Sequence, residues 1–210
     1  MDGNGDEAFP RKWNPDFIDA PIVEKQKQPT VTVEQIEQAI AKASDADAAL
    51  YLLLASSGLR IGEALALRIG PSETLSHFSD ASVTVCTSLW RRREQVPKTF
   101  ASVRTIGLAA PASKRTAEFA HGRSGFLFGN GRPPSERAFR DRLSKTSVLG
   151  FHAFRRFRTT TLRAARCPEE LIRYFLGHSE RSITDRYSKL SRAPEVRREW
   201  ADRVGPGFRL

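Results

Sequence analysis

The chain has 210 residues, 40% of them apolar and 28% charged, enough to bury a substantial core without disulfides or metals. No apolar run approaches the roughly 20 residues of a membrane-spanning helix, no secretory signal opens the chain, and Cys86 and Cys167 lie far apart outside any CxxC context, so an intracellular (cytoplasmic) protein with buried thiols is expected. The net charge of +10 is uneven: residues 1–58 carry 5 basic and 10 acidic side chains, residues 59–210 carry 29 and 14, and that basic excess points to a polyanionic partner, nucleic acid first.

Residues 1–29, with Pro10, Pro15, Pro21 and Pro29, read as an extended lead-in. Thr32 and Gln35 then form a capping box ahead of an amphipathic helix over about 32–43. A second helix, about 46–56, ends at Ser56-Ser57-Gly58, and a third starts near Arg60 and runs through Leu67. Alternation of polar and β-branched residues over 82–89 and again over 103–106 predicts two or three short antiparallel strands near 82–108, joined through a polar turn that holds Pro97-Lys98. Helices return over about 111–120, 135–145, 152–166, 168–176, 182–190 and 194–204, punctuated by Gly and Pro. The expected class is therefore mainly α with a small antiparallel sheet (α+β).

Four segments place a cation, an imidazole or a phenol beside a helix boundary. Arg60 follows the break at Gly58. Lys98 sits on a turn, where a flexible ammonium can reach a phosphate or protonate a departing oxygen. His152 and Arg155 share one helix face while Phe151, Phe154 and Phe157 occupy another, which suits gripping a phosphate from an anchored helix. His178 lies in the turn after Gly177, and Tyr187 falls on the helix that follows. Each of these alone has a bland counterpart, a surface arginine, a solvated lysine or a structural histidine. A tyrosine, with an ordinary pKa near 10, becomes a nucleophile only where cations or a base support its phenolate.

Gly58-Leu59-Arg60-Ile61-Gly62-Glu63, Lys98 followed by Ser102-Val103-Arg104, His152-Ala153-Phe154-Arg155, Leu176-Gly177-His178 and Thr184-Asp185-Arg186-Tyr187 resemble, in this order and spacing, the motifs of the tyrosine recombinase (phage integrase) family. The resemblance covers roughly residues 30–190, the family's catalytic domain, with 191–210 as a C-terminal helical tail. It implies an active site of Arg60, Lys98, His152, Arg155, His178 and Tyr187. Tyr187 would attack a phosphodiester of double-stranded DNA to form a 3′-phosphotyrosine, the arginines would stabilise the non-bridging oxygens, Lys98 would protonate the 5′-oxygen, His152 would move the nucleophile's proton and His178 would hold the phosphate. No metal or cofactor is expected, and Glu63 reads as a structural partner of nearby arginines. The N-terminal DNA-binding domain usual in the family is expected to be absent. Nicking and resealing of the type IB topoisomerase kind would use the same residues, and a non-catalytic DNA-binding relic is the alternative from outside enzymes. The stripe Val196, Trp200, Val204 on the last helix is expected either to fold back on its own domain or to support self-association on DNA.

Overall fold

The computed structural model describes residues 30–79, 81–96, 103–129, 131–178 and 193–209. Helix α1 (Val33–Ala41) opens with the expected capping box: the Thr32 hydroxyl accepts from the Gln35 amide and the Gln35 side chain accepts from the Thr32 amide. Helix α2 (Asp45–Ser57) is the central element. Every residue from Ala49 to Ser57 is buried, and the two buried serines at its end return their hydroxyls to the carbonyls of Leu52 and Leu53, so the helix crosses the core without orphaned donors. Around it lie α1, α3 (Ile61–Leu65), α4 (Ala110–Ala120) and α6 (His152–Ala164). The Tyr51 and Phe154 rings, from α2 and α6, stack at 5.5 Å. Helices α5 (Glu136–Leu143), α7 (Glu169–Leu176) and α8 (Pro194–Val204) complete the described helices. The helix expected over 182–190 falls outside the described residues.

The expected fold class holds, while the sheet is larger than the sequence indicates. Strands β1 (Arg68–Ile69), β2 (His77–Ser79), β3 (Ser82–Val85) and β6 (Arg104–Gly107) form one sheet in the order β1-β2-β3-β6, in which β1 and β2 run parallel and the other pairs antiparallel. Strands β4 (Ser88–Trp90) and β5 (Arg93–Gln95) form a separate hairpin. The single strand expected over 82–89 is split because the Ser76 hydroxyl accepts from the amides of Cys86 and Thr87 and donates to the Thr87 carbonyl. These groups would otherwise continue the ladder. Both cysteines are free thiols; Cys167 is buried, whereas Cys86 is only partly so.

The tail folds back on the domain. Helix α8 lies against β6, where a Cβ on Gly107 would stand 3.0 Å from the Arg197 carbonyl. Asp202 accepts from the first amide of α4 (3.0 Å), Arg158 donates to the Gly205 carbonyl (2.6 Å), and the Phe208 and Phe157 rings meet at 6.1 Å. Inward positions on α8 are Arg197 and Ala201, with Trp200 and Val204 partly covered. The expected stripe is thus present but turned by one residue.

Candidate active site

Gly58 ends α2 in the left-handed region (φ 74°). A Cβ there would be 3.1 Å from Leu176 and 3.3 Å from Arg158, so glycine is required by both conformation and space. Arg60 follows as the N-cap of α3, with its side chain about half exposed. Glu63, one turn on, accepts from the Arg60 amide and from its guanidinium, both at 2.9 Å.

Beneath that pair lies a buried ion pair. Arg104, the first residue of β6, donates to both Glu63 oxygens (2.9 and 3.3 Å) and, through Nε, to the Phe175 carbonyl (2.9 Å). Burial pushes the Glu63 carboxyl up, but the charge and hydrogen bonds of Arg104, followed by Arg60, outweigh it and hold the group below its ordinary value. Glu63 is therefore the ionised partner that two arginines share, as expected of it. Arg104 was not among the residues singled out for the site. A signal was present: in an alternating strand it lies on the same face as Ile106, where an apolar side chain is the rule. That face turns Arg104 into the core and leaves Val103 exposed.

Helix α6 delivers His152 and Arg155. The Arg155 guanidinium is buried and donates to the Gly58 carbonyl (2.8 Å), to the Leu176 carbonyl and to Nε2 of His178 (3.1 Å). It thus ties the ends of α2 and α7 to the start of α6. Since carbonyls at a helix C-terminus carry the negative end of the macrodipole, a guanidinium suits this position. His178 accepts at Nε2, which makes it a neutral imidazole with its proton on Nδ1. Burial, with Arg60 and Arg104 nearby and Glu63 opposing, lowers Arg155 to about 10, so it stays charged at neutral pH. His152 is lowered by burial and then by Arg155, Arg156 and Arg60, which favours a neutral ring near pH 7. Four cations, Arg60, Arg104, Arg155 and Arg156, act on these groups with Glu63 as the countercharge.

Of the six residues expected from the sequence, the fold brings Arg60, His152, Arg155 and His178 to one place. Lys98 and Tyr187 lie outside the described residues. Gly177, which precedes His178, has φ 61°; a Cβ there would stand 2.6 Å from Arg104, so the turn that presents His178 rests on the same buried arginine.

A model of the phage integrase family matches residues 29–193. No curated protein sequence matches the chain. Among solved structures, the integrase from mycobacterium phage Brujita is similar with a TM-score of 0.62 and 18% identity over 89% of this chain, which spans 61% of that protein. The Tn1549 transposon integrase in complex with transposon right end DNA gives 0.61 and 18%, covering 86% of this chain and 72% of that one. XerA recombinase gives 0.54 and 16%, covering 80% and 64%. At such identities the likeness is one of fold.

Proposed function

The chain belongs to the phage integrase family, and from that premise we propose that it is a DNA recombinase that cleaves and rejoins double-stranded DNA through a 3′-phosphotyrosine. The observation that carries the proposal is the Arg155 guanidinium, which joins Gly58 of the first motif, Leu176 and His178 of the fourth, and its own helix at one point. Of its five N–H groups, three are engaged by these partners, leaving donors for a phosphate oxygen among the described residues. The similar Tn1549 integrase is seen with DNA, in keeping with a DNA substrate here.

In the proposed reaction the Tyr187 oxygen attacks phosphorus while His152, neutral at physiological pH, accepts the phenolic proton. The bond from phosphorus to the 5′-oxygen breaks, and Lys98 gives that oxygen a proton. Arg60 and Arg155 face the non-bridging oxygens, whose charge grows in the transition state, and are already oriented by Glu63 and the two helix ends; such preorganised donors contribute most to catalysis. His178 would hydrogen-bond a phosphate oxygen and keep its own proton. A 5′-hydroxyl then attacks the phosphotyrosine, rejoining the strand and returning the phenol. Self-association on DNA through α8 is also proposed, with Trp200, half-covered beneath Arg203, as the residue to test it.

The test is covalent capture on a nicked duplex from which the short fragment bearing the released 5′-hydroxyl diffuses away. Wild-type protein is expected to accumulate a denaturation-resistant adduct and Tyr187→Phe none. An adduct that persists in Tyr187→Phe contradicts the proposal.

A further inference from the structure

The strand-transfer chemistry makes no use of the tip of the β4–β5 hairpin. Its turn is Arg91-Arg92, both with positive φ (49° and 64°). This is the backbone of a type I′ turn, where Asn-Gly is favoured and bulky side chains are strained. Trp90, just before it, is 52% exposed and has the Arg91 guanidinium 4.4 Å from its ring centre. Arg93 follows, also exposed. Among the described residues no carboxylate pairs with Arg91, Arg92 or Arg93. Folding alone would favour different residues at each of these positions.

The base of the hairpin, by contrast, is fixed. Leu89 is buried, its carbonyl lies 2.6 Å from where a Cβ on Gly62 would stand, and Glu94 pairs with Arg68 at 3.1 Å. Gly62 is two residues from Arg60, so the tip is held at a set offset from the phosphate site. Across the cleft beside it, α5 presents Arg137 and Arg140, paired with Asp141 and Glu136 of the same helix, so the uncompensated charge of the cleft lies on the hairpin side.

We propose that this tip is a second DNA contact, in which Arg91 and Arg92 each meet a backbone phosphate flanking the cleaved one and the open side of Trp90 packs on the adjoining nucleotide. The inference rests on the DNA-cleaving function above. Duplex DNA, rather than a protein, is the occupant because three successive guanidiniums without a carboxylate partner among the described residues form a cationic edge next to the proposed phosphate site. The Arg91 guanidinium over its ring orients Trp90.

Replacing Arg91-Arg92 with Asn-Gly separates binding from folding, since that pair suits the turn. Affinity for a 30-base-pair duplex is measured against salt for wild type, Asn-Gly and a charge-preserving Arg91→Lys/Arg92→Lys variant, with thermal midpoints for each. Loss of two phosphate contacts is expected to make the log–log salt slope of Asn-Gly shallower by about two and to weaken binding at least about tenfold at low salt. Its midpoint should equal or exceed that of wild type, and the lysine variant should keep the slope. An Asn-Gly slope and affinity equal to those of wild type would overturn the inference, as would a change in self-association with DNA affinity intact. If wild type itself fails to bind duplex, the DNA-cleaving function falls as well, which separates the two failures.

Discussion

Arg155 has a structural duty and, in the proposed reaction, a chemical one, and its neighbours make the two inseparable. Its bonds to Gly58 and Leu176 satisfy helix-end carbonyls that water cannot reach, so Arg155→Ala is expected to cost about 3 kcal/mol in chemical denaturation. Arg155→Lys, which keeps the charge but loses the fork, is expected to lower the rate of adduct formation at least about 100-fold. Glu63 is the complementary case. With its carboxyl held below the ordinary value, it stabilises the fold fully above the unfolded carboxylate range and loses that effect as pH falls through its lowered folded value. Glu63→Gln should therefore cost about 3 kcal/mol at pH 7 and flatten the acid limb of a stability profile. His152 is likewise lowered from 6.5. A neutral ring acting as base requires adduct formation to fall with a midpoint below 6.5 on acidification, and to be flat around pH 7. A midpoint above 6.5, or an unchanged limb in His152→Gln, would count against that role.

At the scale of elements, the helices were readable because each carries its own punctuation. Thr32 with Gln35, Gly58 and Gly177 mark boundaries that the structure places within a residue or two, since caps and left-handed turns are local chemistry. Strands β1 and β2 were not readable: two and three residues are too few for a period, and their pairing depends on distant segments. Arg104 was missed for a related reason, because an arginine in a strand reads as solvent-facing until the Glu63 below it is known. The turn at Gly177 tests this buried support. Gly177→Ala must take φ 61° with its Cβ against Arg104, and is expected to lose about 2 kcal/mol and to slow adduct formation by displacing His178. Equal stability and rate would show that Arg104 does not hold this turn.

Across the whole molecule, the order of weak motifs along the chain was more informative than any one of them. Segments 118 residues apart, at Arg60 and His178, meet through Arg155, a convergence that no local pattern encodes but that the family resemblance anticipates. The tail is the reverse case: an amphipathic stripe says that something covers it, and only the fold shows β6 of the same chain in that place. Trp200, only partly covered by its own domain, leaves room for both roles: Trp200→Ala is expected to lower the thermal midpoint modestly and also to weaken assembly on DNA, and a lowered midpoint with assembly intact would contradict the proposed self-association. The central claim, that the converged arginines and histidines serve a tyrosine nucleophile, is tested most directly by digesting the covalent protein–DNA adduct and locating the modified residue by mass spectrometry. The expected result is a single nucleotide 3′-phosphate linked to the peptide that contains Tyr187. Linkage at any other residue, or through a 5′-phosphate, would contradict it.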